Sequence, residues 1–399
     1  MSYEQPYAGL KVVDLSQGLA GPYAAMLLRQ YGAQVYKVEP PQGDWSRHLG
    51  QVYIDQTSIS IAGNLGKRSI ALDLKSDAGK EVLGRLLQGA DVFLESFRPG
   101  VIGRLGFGYQ ALAAHNPRLI YVSVSGFGQT GPLIGRPVTD TVMQAFSGYM
   151  AENKGNDGAP HRTGVFITDM TTGLYAFQAI ATSLFARQGE RKGRYLDCSL
   201  MRSAAAVQGL NIIRAHLEGD RPQPPAVPSG TYPASDGYLN VTALRDENFR
   251  DLCDVVGLPE FKDDPRFADQ QQRYAHKAEL EARLRERLAT KTCAEWSEKL
   301  LAAEVLHEQV NSYAEYLNHA QVTGTDAVLW VEDTRAGRIP IPRIPGTADL
   351  RADDAAAAAP MLGEHSEEIL GELGYSAGEI AELAARKVVT GPPAAEKAS

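Results

Sequence analysis

Asp169 is the lone acid of a mostly apolar stretch, "GVFITDMTTGLYAFQAIATSLFAR" (164–187). Met170, Leu174, Phe177, Ala181 and Leu184 recur at three- and four-residue steps and predict one buried face of a helix. Asp is a favoured N-cap, because its side-chain oxygen accepts a bond from an unpaired amide of the first turn. On local grounds this is the role expected of Asp169. The same place also suits chemistry. The positive end of a helix keeps a carboxylate ionised, and an ionised carboxylate can act as a nucleophile. The two readings are compatible.

A second set of reactive side chains lies after predicted strands. Five β-type runs occupy the first third: "KVVDLS" (11–16), "QVYKVE" (34–39), "SIALDL" (69–74), "DVFLES" (91–96) and "LIYVSVSG" (119–126). Helix-like segments lie between most of them, namely "GPYAAMLLRQYG", "SDAGKEVLGRLLQG" and "VIGRLGFGYQALAAHN". This alternation predicts an α/β fold of right-handed βαβ units around a mostly parallel sheet. Ligands of such sheets bind outside the carboxyl ends of the strands. Gly- and Pro-rich turns with Gln17, Lys37, Lys75, Arg98 and Arg104 are found there. They would offer amides and cations to an anion, or they are ordinary turn residues and solvated charges. The long 40–68 connection, with "PPQGDWSRH", is expected to be a functional loop.

The 399 residues suffice for two or three domains. A net charge of −8 provides no general basic field, so no nucleic-acid partner is expected. No apolar run approaches the roughly 20 residues that span a bilayer, so no membrane partner is expected either. The first residues lack the pattern of a signal peptide. Cys198, Cys253 and Cys293 form no CxxC pair, which fits a reducing cytoplasm and no thiolate metal site. The eight scattered histidines give no metal site. "EGDRPQPPAVPSG" (218–230) and "RIPIPRIPG" (338–346) read as Pro-rich linkers. They divide the chain into a large domain (1–217 and 335–399) and a small one (225–330). The terminal "TGPPAAEKAS" is expected to be disordered. "GFGQTG" (126–131) matches the dinucleotide-binding spacing, but "PLIGRP" follows where a helix should open, so no NAD is expected. No G-x-S-x-G elbow is present.

Taken together, "LKVVDLSQGLAGPYAAMLLRQYGAQVYKVEPPQGDWSR", "NLGKRSIALDLK", "FLESFRPGVIGRLGFGYQALAAHNPRLIYVSVSGFGQTGP" and "TDMTTGLYAFQAIATSLFARQGERKGRYLDCSL" resemble the family III CoA-transferases. The likeness continues to "APMLGEHSEEILGELGYSAGEI". It implies a Rossmann-like parallel sheet domain formed by both chain ends, a smaller α+β domain and an interlocked homodimer. The family's nucleophile falls on Asp169, with Gln17 positioning the carboxylate or the oxyanion. Coenzyme A, as a substrate thioester, would be held by Gln17, Gly18, Lys37 near the adenine, Leu72, Lys75, Ser96, Phe97, Arg98 and Arg104. Asp140 would assist CoA binding or structure. The other partner is a small carboxylic acid, and neither metal nor ATP is needed because a thioester is exchanged for a thioester.

The chain also departs from the family pattern. "AVPSGTYPASDG" lacks the glycine run of the formyl-CoA transferases, and Pro137 stands where a basic residue is frequent, with Arg136 beside it. Thr139 replaces the histidine of the related 2-methylacyl-CoA racemases, which removes one of the two proton-transfer groups that a racemase needs. A racemase and a noncatalytic CoA-binding subunit are the alternatives. Arg47 and His48 in "WSRHLG" lie on the loop expected near the site, where they would receive a second carboxylate, as in a dicarboxylate such as succinate, or Arg47 is simply a solvated charge.

Overall fold

The computed structural model describes residues 5–155, 158–219 and 223–392. Residues 220–222 of the expected first linker and 393–399 of the expected disordered tail lie outside the described residues. The chain divides into two compact units, 1–209 with 327–399, and 210–326.

The larger unit begins with strands β1 (Lys11–Leu15), β2 (Gln34–Glu39), β3 (Arg68–Leu72), β4 (Val92–Glu95), β5 (Ile120–Ser125) and β6 (Arg194–Ser199). Apolar runs such as Val12, Val13, Val92, Phe93 and Leu94 are fully buried, as strands covered on both faces must be. The smaller unit carries β7 (Ser229–Pro233), β8 (Tyr238–Thr242) and β9 (Leu306–Gln309), an antiparallel sheet. The chain then forms a hairpin of β10 (Val328–Asp333) and β11 (Gly337–Pro342), followed by a two-residue strand, β12 (Val389–Thr390). The main sheet runs β12-β3-β2-β1-β4-β5-β6. All its neighbours are parallel except β12, which is antiparallel to β3. Strand order reverses at β1, and that switch point is where ligands of doubly wound sheets bind.

The segment 338–346, expected as a linker, is largely strand β11. Pro340 and Pro342 alternate with Ile339 and Ile341, so the missing amides fall on the outer edge of a two-stranded ribbon, where a strand tolerates proline.

Four of the helices that pack on the main sheet are α1 (Ala20–Gln30), α2 (Asp77–Leu87), α3 (Asp140–Phe146) and α4 (Ile167–Glu190). Helix α4 buries Gly173, Ala176, Ile180 and Leu184, whereas Leu174 is 48% exposed. The buried face is therefore rotated from the one that the larger apolar residues predicted. Small residues explain it, because α1 offers Ala20, Ala24 and Ala25 to the same core cluster. A Cβ added at Gly173 would lie 2.8 Å from the Ala20 carbonyl oxygen and 2.9 Å from the Tyr23 ring. Gly173 sits one turn below Asp169 and sets its depth against the start of α1. Gly173→Ala is expected to cost about 1–3 kcal/mol by overpacking, read as a lowered urea midpoint, because a backbone carbonyl cannot swing aside.

Candidate active site

The carboxyl ends of β1, β4 and β5 open on a cavity of about 480 Å³. Gln17 lines it from the β1–α1 turn, Ser96, Phe97 and Arg98 from the turn after β4, and Gly126 and Phe127 from the turn after β5. Asp140 and Asp169 line it from the heads of α3 and α4. Trp45, Leu49 and Phe166, all substantially exposed, complete an apolar part of the wall. "GFGQTG" is thus part of the cavity wall although no helix opens behind it; the next helix starts at Asp140.

Asp169 is the third residue of α4 and not its N-cap, which is Phe166. The capping is done from a distance. Asp140 Oδ2 accepts the amide of Thr168 at 2.7 Å, its hydroxyl at 2.9 Å and the amide of Asp169 at 3.1 Å. Asp140 Oδ1 accepts Gln144 Nε2 at 2.6 Å. The Asp169 side chain is thereby free of the capping duty and faces the cavity. Burial pushes its pKa up to about 7, and the neighbouring Asp140 charge adds to that. The head of a helix opposes this with about 0.3–1 kcal/mol, less than the about 1.4 kcal/mol that moves a pKa by one. Burial wins, so the carboxyl is only partly ionised at neutral pH, against the fully ionised state expected from its position.

The Gln17–Gly18 turn is held from beneath. The Gln17 amide donates to Ser96 Oγ at 2.8 Å, and the Gly18 amide donates to Asp44 at 3.0 and 3.1 Å. Gly18 has φ +85°, and the Trp45 ring occupies the place where a Cβ would stand. No hydrogen bond occupies the Gln17 carboxamide among the described residues, which leaves it available at the cavity wall. Lys37 Nζ pairs with Asp44 at 3.0 Å and also donates to the Ser16 carbonyl. Burial alone would lower the Lys37 ammonium pKa, but Asp44, Asp14 and Glu39 outweigh it and hold it above its usual value.

Several expected CoA contacts are therefore corrected. Lys37 is fully buried and its charge is paired with Asp44, so its side chain does not meet a nucleotide. Leu72 packs at 1% exposure in the core with Val13 and Ile70. The Ser96 hydroxyl is committed to the Gln17 backbone. Of the two roles expected of Asp140, CoA binding or structure, its carboxylate is engaged in the structural one by four protein donors. Arg47 is 1% exposed, with Nε and Nη2 on Glu39 at 2.7 and 2.8 Å and Nη1 on Asp55 at 3.2 Å, so it cannot receive a substrate carboxylate. His48 is outside the cavity lining, with Nε2 3.0 Å from the Gln42 carbonyl. Lys75, Arg98 and Arg104 are exposed, and none has an ion pair among the described residues; of these only Arg98 lines the cavity. Arg136 also lines it, over the Phe127 ring at 5.8 Å.

The sequence reading missed Asp44, Thr168 and Gln144, which hold the reactive segments in place. It also missed Glu95, whose pKa burial pushes up to about 7 and whose carboxyl accepts the Phe97 amide at 2.9 Å. "PPQGDWSRH" carried a signal for Asp44, as an unusually long, Gly/Pro-rich connection.

Residues 7–366 match the model of CoA-transferase family III. The acetyl-CoA:oxalate CoA-transferase of Acetobacter aceti is 36% identical over 81% of this chain and 85% of its own. The succinate–glutarate CoA-transferase of Agrobacterium fabrum is 34% identical over 92% and 96% respectively. Among solved structures, a CAIB/BAIF family protein from Brucella suis superposes with a TM-score of 0.82 at 32% identity, covering 93% of this chain and 100% of that one.

Proposed function

The chain belongs to CoA-transferase family III and is an acyl-CoA:carboxylate CoA-transferase, and on that premise we propose that Asp169 is its nucleophile. The supporting observation is the half-buried carboxyl of Asp169 on the cavity wall, relieved of capping by Asp140 and raised in basicity.

The ionised Asp169 attacks the thioester carbonyl carbon. The C–S bond breaks, its electron pair leaves on sulfur as CoA thiolate, and an acyl-aspartyl anhydride remains. The thiolate then attacks the aspartyl carbonyl, the C–O bond of the anhydride breaks, and the donor carboxylate leaves behind an aspartyl-CoA thioester. An acceptor carboxylate attacks that thioester and runs the two steps in reverse. No proton needs to be moved. Carboxylates are weak nucleophiles, so the rate derives from positioning, exclusion of water and stabilisation of the tetrahedral oxyanion. The Gly18 amide is already engaged by Asp44, which leaves the Gln17 carboxamide as the donor or positioning group. Arg98 at the mouth, with Arg104 and Lys75, takes the CoA phosphates, and that remote binding energy is used at the reacting carbonyl.

The rival racemase reading needs two proton-transfer groups around the α-carbon. Among the described residues the cavity lining has Thr139 and a fully engaged Asp140 beside Asp169 and no histidine. The interlocked homodimer and a cytoplasmic location belong to the same reading. Phe185, Leu210 and Leu217 are 77%, 76% and 75% exposed, apolar surface that a second copy would cover.

Incubation with an acyl-CoA donor followed by borohydride or hydroxylamine is expected to mark Asp169 alone, as a mass change in the peptide that contains it. An unmarked Asp169 in turning-over enzyme, or α-deuterium uptake by a 2-methylacyl-CoA without acceptor acid, would overturn the reading.

A further inference from the structure

We propose that Asp140 is the positioning residue of this transfer reaction: its Oδ2 grips the Thr168 and Asp169 amides and so fixes the nucleophile at the head of α4, and its carboxylate stands beside the Asp169 carboxyl group. The proposal rests on Asp169 being the nucleophile.

Helix α4 brings no capping side chain of its own. Ile167 bonds its amide to the Val165 carbonyl and Met170 to the Phe166 carbonyl, which leaves the Thr168 and Asp169 amides to be satisfied from outside. Asp140 takes both, 28 and 29 residues away in sequence. It is itself held rigidly. It is 2% exposed, it accepts four hydrogen bonds, and Gln144 is pinned in turn by the Thr163 amide at 3.0 Å and the Val165 carbonyl at 3.3 Å. Four donors on one carboxylate leave it little freedom to turn. A neutral Asn could cap the helix too, so the retained charge calls for a further reason.

That reason lies in what the charge does to its neighbour. A fixed anion beside a buried carboxyl favours the protonated neighbour and makes the ionised one a stronger base, hence a better attacking group for a thioester. The cost is a smaller ionised fraction at neutral pH. The other ionisable groups on the cavity wall are Arg98, from the turn after β4, and Arg136, from the segment before α3, both exposed. No cation at hydrogen-bond distance neutralises Asp140 among the described residues.

Asp140→Asn separates this role from plain capping. The variant keeps one acceptor oxygen and loses the charge. The expected result is an acidic limb of the kcat/KM profile displaced downward by about one pH unit, with kcat above pH 8 reduced about tenfold. CoA affinity by calorimetry stays within about twofold, and Asp140→Glu, which restores the charge, returns the limb toward its original position. A limb that stays where it was, or CoA affinity as the main loss, overturns the proposal. Should Asp140→Asn fail to fold, Thr168→Val removes the hydroxyl's bonds to Asp140, at 2.9 Å to Oδ2 and 3.4 Å to the backbone carbonyl, and leaves both amide bonds in place; kcat is then expected to fall several-fold at unchanged KM, and an unchanged kcat overturns the proposal. Trapping of the Asp169 adduct in the unmodified protein is run alongside. Its absence there sinks the nucleophile, whereas an adduct together with an unmoved limb in Asp140→Asn sinks only the role of Asp140.

Discussion

Replacing Asp169 by Asn abolishes CoA transfer, with turnover falling on the order of 10⁴-fold or more, as expected when a covalent nucleophile is removed from an otherwise intact site. CoA affinity is expected to stay within a few-fold, because the cations assigned to its phosphates, Lys75, Arg98 and Arg104, lie on other elements. The unmodified enzyme should show a rising limb of kcat/KM with its midpoint near pH 7, following ionisation of Asp169. Stability moves the opposite way. Burial holds the folded-state pKa of Asp169 above its unfolded value, so between the two values the native chain binds more protons. Stability therefore falls as pH rises through that window, toward about 7. An amide does not titrate. The variant is thus expected to melt higher than the parent at pH 8, with the advantage shrinking as pH falls toward 4. A variant that turns over normally, or melts lower at pH 8 than at pH 5 by as much as the parent, contradicts the assignment. Such an exchange of stability for activity is what a carboxylate desolvated at an active site predicts.

The main sheet was legible because β1–β5 are apolar runs with turn signals at both ends, and burial on both faces demands that pattern. Strand β6, "RYLDCS", was not read as one. Five of its six residues are only half-buried or exposed, so its composition resembles a loop. In 338–346 the prolines suggested a linker, since composition alone does not reveal that they alternate onto one edge. At the site, Asp169, Gln17 and Arg98 stood out by residue type and place along the chain and Phe97 through the family resemblance, and the cavity brings all four together. What the sequence hid was the fate of each charge. Lys37 and Arg47 look like surface cations beside a strand end. Their partners Asp44 and Glu39 are near in sequence, but nothing local shows that the intervening loop folds over them and excludes water. Asp140 as a cap was equally hidden, because capping rules look within one turn and its amides are 28 and 29 residues away.

The second large effect comes from one of those hidden charges. Lys37→Met is expected to destabilise the fold by about 3–5 kcal/mol, the usual loss when one partner of a buried ion pair is removed and the other is left charged. Asp44 would keep its bonds from the Gly18 and Ser46 amides but lose the cation paired with its carboxylate. Lys37→Met with Asp44→Leu should recover the part of the loss that comes from the unpaired charge, but leaves the Gly18 and Ser46 amides without their acceptor. Urea unfolding of the four-member cycle measures the coupling. The same cycle distinguishes two roles for Lys37. A lysine that gripped a nucleotide phosphate would leave the urea midpoint nearly unchanged when replaced, and its loss would weaken CoA binding with a shallower salt dependence. A lysine that holds Asp44 loses stability first. It weakens catalysis only through the Gln17–Gly18 turn that Asp44 secures, so the double variant stays impaired in turnover although it is more stable than Lys37→Met alone.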